Sequence, residues 1–130
     1  MPPISSTALK DFENRFRVSV QEDFATYLLT FGGMPLGSLD EELFRFWSFD
    51  EICPATEAMN LESYADYFTF ADYSISALEY GVRLSKSAPN DVAIFGWHTP
   101  IIIAHSFTEF LMLYLSDPMS LLGPRRVPPG

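Results

Sequence analysis

The order in which helix-like and strand-like patterns occur limits this chain to few folds. Apolar residues repeat at intervals of three and four near residues 8–16, 20–31 and 106–117, which is the spacing of amphipathic helices. Between the second and third of these segments, short aromatic or aliphatic runs alternate with turns that contain Gly, Pro, Asn or Asp. This order predicts one α+β domain, with a mainly antiparallel mixed sheet of about four to six strands flanked by helices.

The two helices at the start of the chain carry sequence signals at their ends. Ser6 or Thr7 is placed to cap the first helix. The second has Glu22 and Asp23 in its first turn, where the helix dipole favours acidic side chains. The Gly32–Gly33 pair then predicts the end of this helix, because glycine accepts the left-handed conformation that a helix C-cap often needs.

Five later runs are predicted to be strands: Leu43–Trp47, Tyr67–Ala71, Ser76–Leu84, Val92–Phe95 and Ile101–Ala104. Two capping boxes of the form Ser-x-x-Glu predict helix starts. The box at residues 48–51 opens a short helix after the first strand. The box at residues 106–109 opens the last helix, whose apolar face runs from Phe107 to Leu115 and ends before Pro118.

The length and composition suit a single domain. The chain has 130 residues, and 48% of them are hydrophobic. A domain of this size buries roughly two thirds of the surface that its unfolded chain exposes, so packing alone can stabilise it. Residues 1–7 are predicted to be an N-terminal extension, residues 8–117 the domain, and residues 118–130 a flexible tail rich in Pro and Arg.

The sequence predicts a cytoplasmic protein. Its one cysteine, Cys53, excludes an intramolecular disulfide and a multi-cysteine metal cluster. The first residues lack the basic start and apolar run of a signal peptide. The most apolar stretch, Val92–Phe107, is interrupted by glycine, proline and two histidines, and it is shorter than the roughly 20 apolar residues that span a bilayer. No membrane segment is expected.

Acidic residues are concentrated in the middle of the chain. The net charge is −9. The segment from Asp40 to Glu79 contains ten of the 17 acidic residues and, in Arg45, one of the eight basic residues. The negative electrostatic field of this segment repels a phosphate backbone, so we do not expect nucleic acid as a partner. The expected partner is a basic protein. The alternative is that these carboxylates serve only solubility.

Aromatic residues alternate with acids in part of this segment, from Tyr64 to Tyr73. Tyrosine beside carboxylates suits a surface for a basic partner. In the alternative interpretation, Phe68 and Phe70 fill the core while the acids lie in water. Trp97, at a predicted turn, either is exposed for binding or folds back onto the sheet. The candidate partner-binding residues are Asp40, Glu41, Glu42, Asp50, Glu51, Glu57, Asp66, Asp72, Tyr73 and Trp97.

No pattern predicts a catalytic residue, a metal site or a cofactor. The two histidines, His98 and His105, lack the spacing of metal-binding motifs. Cys53 precedes a proline at a predicted helix start, where a thiolate can be stabilised, but buried unreactive thiols are commoner. The glycines after the second helix do not precede a helix, so they do not form a phosphate cradle. Carboxylates that pair across strands for acid–base chemistry are not visible in a sequence.

Four segments, taken in order, resemble the SUKH superfamily, whose founding members include the yeast Smi/Knr cell-wall regulator. Residues 24–33 (FATYLLTFGG) resemble the second helix of the family and its glycine stop. Residues 46–52 (FWSFDEI) resemble the strand that enters the middle helix. Residues 68–73 (FTFADY) resemble the central strand, and residues 103–111 (IAHSFTEFL) resemble the C-terminal element. The resemblance spans about residues 8–116.

The resemblance implies a mixed α+β domain that binds another protein and is not an enzyme. Bacterial members of the family often serve as immunity proteins that neutralise toxins, many of them nucleases, and other members act as regulatory binding modules. We therefore expect an immunity protein whose acidic surface neutralises a basic toxin, or alternatively a regulatory or scaffold module without a toxin partner. Edge strands could pair, so the expected state is a monomer or a weak homodimer.

Overall fold

The computed structural model describes residues 3–35, 38–55, 66–75, 77–85, 90–96 and 100–123. The α-helices there are α1 (Ser6–Phe16), α2 (Glu22–Thr30) and α3 (Phe107–Ser116). The strands are β1 (Phe44–Phe46), β2 (Cys53–Pro54), β3 (Tyr67–Tyr73), β4 (Leu78–Arg83), β5 (Val92–Phe95) and β6 (Ile101–Ala104). Short 3₁₀ helices cover Phe49–Glu51 and Pro118–Leu122. No helix in these ranges is long and apolar enough to cross a lipid bilayer.

The strands form one open antiparallel sheet in the order β1-β3-β4-β5-β6, and β2 pairs with β3 beside β1. Every pairing is antiparallel. The structure therefore confirms the predicted α+β fold with a mainly antiparallel sheet. The acidic middle of the sequence supplies β1, β2 and β3 and the start of β4, so it forms one edge of the sheet and the strands next to that edge.

A β-bulge in β3 decides which face of the sheet its side chains occupy. The pairing of β3 with β4 shifts between Thr69 and Ala71. Phe68, Phe70 and Ala71 belong to the main core cluster under the helices. Because the bulge adds one residue, Asp72 projects to the opposite face, where it lies opposite Arg45 of β1. We call this opposite side the second face of the sheet.

Aromatic rings join the helices to the sheet. Phe24 of α2 and Phe107 of α3 have ring centroids 4.8 Å apart. Phe70 of β3 lies 5.3 Å from Phe107 and 5.2 Å from Phe110, both edge to face. All four rings are fully buried. The apolar stripes that predicted α2 and α3 are therefore the surfaces that pack on the sheet.

Several boundaries differ from the sequence predictions. Ser5, not Ser6 or Thr7, caps α1, because its side chain accepts a hydrogen bond from Ala8 N. Leu115 was predicted to lie on the packed face of α3, but it is 80% exposed. The packed chain also extends past the predicted domain end at residue 117, since Leu121 is buried and its carbonyl accepts a hydrogen bond from Tyr80 Oη at 2.8 Å.

The Asp23 carboxylate connects the starts of two helices. Its Oδ1 accepts hydrogen bonds from Phe24 N at 2.8 Å and Asn90 Nδ2 at 2.7 Å. Its Oδ2 accepts from the backbone nitrogen and the hydroxyl of Thr108, both at 3.0 Å. One acidic side chain thus satisfies helix N-terminal donors of α2 and α3 and holds the chain that enters β5.

We expect Asp23→Ala to lower the free energy of unfolding by about 2 kcal/mol, because it removes a charged acceptor shared by four donors. Urea denaturation followed by circular dichroism measures the change. The matched control is Glu22→Ala, since the neighbouring Glu22 is an exposed acid in the same helical turn. Equal losses for the two variants would contradict the bracing role of Asp23.

Candidate protein-binding site

The structure divides the predicted partner-binding residues into separate groups. Glu57 and Trp97 lie outside the described residues. Asp72 is 3% exposed, and the half-buried Tyr73 packs its ring 5.2 Å from Phe44 in the core. Glu41, Glu42 and Asp50 are exposed, while Asp40, Glu51 and Asp66 are half-buried. The candidate residues that the structure describes therefore do not form one continuous acidic surface.

A charge network on the second face consists of Arg45 and the candidate residues Glu51 and Asp72. Arg45, only 6% exposed, donates to both oxygens of Glu51 at 2.9 and 2.7 Å. Its guanidinium also lies 3.8 Å from Asp72 Oδ2. That same oxygen accepts a hydrogen bond from Trp47 Nε1 at 2.6 Å. The one base of the acidic segment is thus enclosed by two of its acids, and neither Arg45 nor Asp72 is available to a partner.

Glu51 is held by its own turn as well as by Arg45. Its Oε1 accepts hydrogen bonds from the backbone nitrogen of Ser48 at 3.1 Å and from the Ser48 hydroxyl at 3.0 Å. This is the capping box predicted from the sequence, although the helix that it opens is a single 3₁₀ turn. The hydrogen bonds from Arg45 lower the pKa of Glu51 to about 2, and the hydrogen bonds from Ser48 contribute a smaller part of this decrease.

Asp66 also has a cation beside it. Its Oδ2 accepts a hydrogen bond from Arg83 Nε at 2.8 Å, and about a third of each side chain remains exposed. The Arg83 guanidinium lies over the ring of Tyr67, 5.9 Å from its centroid. Asp66 therefore belongs to a local ion pair between β3 and β4, which adds little net negative charge to the surface.

Asp40, Glu41 and Glu42 lie where two loops meet at one end of β1 and β3, whereas Asp50 lies in the 3₁₀ turn that follows β1. We name this region the acidic tip: residues 39–43 before β1, with Ser74 and Ile75 after β3. Ser74 N donates to Leu43 O at 2.9 Å, which ties the two loops together. Glu41 and Glu42 are exposed there.

Asp40 fixes the first of these loops. Its Oδ1 accepts hydrogen bonds from Glu42 N and Phe44 N, both at 2.8 Å. Its Oδ2 accepts a short hydrogen bond from the hydroxyl of Tyr114 on α3. Burial, together with the Asp40 hydrogen bond and the charges of Asp40 and Glu42, raises the pKa of Tyr114. The Tyr114 hydroxyl therefore stays protonated at neutral pH and continues to donate to Asp40.

Large apolar side chains are exposed beside these acids. Leu43 is 43% exposed and Ile75 is 81% exposed. Both have left-handed backbone conformations, with φ of 72° and 57°, which are unfavourable for non-glycine residues and especially for a β-branched one. Strained backbone of this kind concentrates at functional sites. The acidic tip therefore combines charge with exposed apolar groups on a fixed backbone.

The structure places two of the residues that were weighed for chemistry in the sequence, Cys53 and His105. The described residues contain no group of three or more His, Cys, Asp or Glu side chains that could hold a metal ion. Cys53 lies in strand β2, where it pairs with Thr69 of β3, so the predicted helix start at this thiol is wrong. His105 is exposed, and its backbone nitrogen donates to Glu109 Oε1 at 3.3 Å. His98 lies outside the described ranges.

Comparison of the chain with models of known protein families and with curated proteins found no match. The resemblance to the SUKH superfamily therefore stays a prediction that depends on residues 24–33, 46–52, 68–73 and 103–111.

Sequence reasoning missed three residues of this site: Leu43, Ile75 and Tyr114. Leu43 was assigned to the first strand and Tyr114 to the packed face of the last helix. A signal for Ile75 did exist, since it is a lone aliphatic residue in the turn between two strand-like runs. Its exposure depends on the backbone conformation of that turn, which the sequence pattern does not specify.

Proposed function

We propose that this chain is a non-catalytic protein-binding domain that engages a basic protein partner through the acidic tip. One observation carries the proposal: two exposed carboxylates, Glu41 and Glu42, lie next to exposed Leu43 and Ile75 on loops fixed by hydrogen bonds. The carboxylates would steer a basic partner into contact. The apolar side chains would supply the desolvated anchors that carry most of the affinity in protein interfaces.

The rigid backbone of the tip supports this role. Asp40 uses both carboxylate oxygens to hold the loop against β1 and α3. A loop that is already ordered loses little conformational entropy on binding, which increases affinity for a given set of contacts. Asp40 would therefore position Glu41 and Glu42, while remaining bound to Tyr114.

In this proposal the partner is a toxin with a basic active-site surface, and the domain acts in the cytoplasm as its immunity protein. A nuclease fits, because an enzyme that binds a phosphate backbone carries a cationic groove. The resemblance to the SUKH superfamily supports the toxin, and the charge and geometry of the tip support a basic partner of any kind. Affinity capture of the partner from the native host distinguishes the two alternatives: a captured toxin indicates an immunity protein, and a captured host protein indicates a regulatory module.

We expect the double variant Glu41→Lys/Glu42→Lys to associate with the captured partner about tenfold more slowly than the wild type at low salt, because it reverses the steering charge. The partner is first isolated by affinity capture from the native host and identified by mass spectrometry. Stopped-flow or surface plasmon resonance measurements at low and high salt then give the association rates.

The matched control is Asp11→Lys/Glu22→Lys, which makes the same change in net charge at exposed residues of α1 and α2. Its association rate should stay within about twofold of the wild type, because steering depends on charge near the interface. An unchanged rate for the tip variant, or equal slowing by both variants, would remove the acidic tip from the proposal.

A further inference from the structure

Strand β6 is the last strand of the sheet formed by the described residues, and none of those residues pairs with its outer side. It pairs with β5, and no described residue forms a backbone hydrogen bond to its outer edge. The strand, Ile101–Ala104, contains no charged residue and no proline. Proteins commonly use such residues to protect edge strands from pairing with other chains. This edge lacks both devices, and its protection is limited to its length of four residues and a register shift against β5 between Val92 and Ala93.

Apolar side chains flank this edge on both faces of the sheet. Ile102, on the second face, is 43% exposed. On the helix face, a groove between β6 and α3 is lined by Ile103, Met112 and Leu113, with Ser106, Thr108, Glu109 and Ser116 along it. Met112 is 64% exposed. The edge and the groove form one surface on which a strand could lie with apolar contacts on both faces.

The chain segment that forms this edge and groove has too few acids to suit the basic partner of the acidic tip. Residues 100–123 contain no Lys or Arg, and their only acids are Glu109 and Asp117. The exposed acids Glu41, Glu42 and Asp50 flank β1 instead. β1 is at the opposite end of the row of strands, about 19 Å from β6 at the usual strand spacing.

We infer that the occupant of this edge is a second copy of the same chain, whose β6 pairs antiparallel with the first about a twofold axis. A strand without charges is complementary to itself, because antiparallel pairing places isoleucines opposite isoleucines and no like charges opposite each other. The two β1 strands would then be about 40 Å apart. That separation is several times the Debye length of roughly 8 Å at physiological salt, so the two acidic edges would repel each other little.

The test is analytical ultracentrifugation of the full chain over a wide concentration range, with hydrogen exchange of residues 101–104 measured on the same samples. We expect reversible dimers with a dissociation constant in about the micromolar range, and slower exchange of the β6 amides as the dimer fraction rises. Ile102→Lys and Met112→Lys should each weaken dimerisation by about tenfold or more. Circular dichroism verifies that each variant is folded.

The matched control is Ile75→Lys, which places the same charge on an 81% exposed aliphatic residue that follows β3, three strands away from β6 in the sheet order. It should leave dimerisation unchanged. A chain that remains monomeric at all concentrations would overturn the inference. A dimer that Ile102→Lys leaves intact would also overturn it. So would slow exchange of the β6 amides at every concentration in a monomer, because the chain would then cover its own edge.

Discussion

Arg45→Met is expected to lower the free energy of unfolding by about 4 kcal/mol, the largest effect of a single side chain that we predict. Arg45 is almost fully buried between Glu51 and Asp72. Methionine fills a similar volume but leaves the 3% exposed Asp72 without a cation. The Oδ1 atom of Asp72 accepts no hydrogen bond from the described residues. Trp47 would therefore be the remaining hydrogen-bond donor to the Asp72 carboxylate.

A double-mutant cycle shows whether the loss comes from the stranded charge. Asp72→Asn removes the charge and keeps an oxygen that can accept the Trp47 hydrogen bond. We expect Arg45→Met/Asp72→Asn to be about 2 kcal/mol more stable than Arg45→Met alone, since contacting charges do not contribute additively. Urea denaturation of the four proteins measures the coupling. A double variant that loses the sum of the two single losses would contradict a charge network.

The same network makes the effect of Arg45→Met depend on pH. The pKa of Glu51 is lowered from 4.5 to about 2 in the folded protein, so its ion pair stabilises the fold above the unfolded value of 4.5. This contribution falls as pH decreases from 4.5 towards 2, because Glu51 then binds a proton more readily in the unfolded chain. The difference in stability between wild type and Arg45→Met should therefore be largest near neutral pH and shrink in acid.

The sequence predicted the three α-helices and five of the six described strands because each has a periodic pattern within a few residues; β2, with two residues, has no such pattern. It did not predict where the acids would lie, because that depends on pairing between distant strands. Arg45 and Asp72 face each other only because β1 pairs with β3 in one register. Glu51 then joins them because its capping box turns the chain back towards Arg45.

The bulge in β3 shows the limit of reading alternate residues as one face. Strict alternation places Phe68, Phe70 and Asp72 on the same side, which would put a carboxylate in the aromatic core. The register shift between Thr69 and Ala71 moves Asp72 to the second face. Both sequence interpretations of this strand were therefore incomplete: Phe68 and Phe70 do fill the core, while Asp72 is neither in water nor at a binding surface.

Gly33 is the other position where we expect a large effect, and its role differs from the predicted one. The sequence assigned Gly32 and Gly33 to the end of α2. In the structure α2 ends at Thr30, and its C-cap Phe31 has an extended conformation. Gly33 instead has a φ of 87° and lies against the backbone of Trp47 and Ser48, just after β1. This contact requires a residue without a side chain.

Gly33→Ala is expected to lower the free energy of unfolding by about 3 kcal/mol, from the left-handed conformation and the overpacking together. A Cβ atom at this position would lie 2.5 Å from Trp47 O and 2.6 Å from Ser48 Cα. Both are backbone atoms, and Trp47 N donates to Phe70 O of β3 at 2.8 Å. Relief of the clash therefore requires movement of backbone, either in the chain that follows β1 or in the Gly33 segment.

Gly81→Ala provides the matched control, because this glycine is also buried but its nearest obstacle is the edge of a ring. A Cβ there would meet Phe95 Cε2 at 2.9 Å and other atoms at 3.5 Å. This obstacle is one side-chain atom and not backbone, so we expect a smaller loss, of about 1 kcal/mol. Thermal and urea denaturation compare the two variants. Equal stability of Gly33→Ala and Gly81→Ala would show that the close approach of Gly33 to the backbone after β1 is not the reason why glycine is required at position 33.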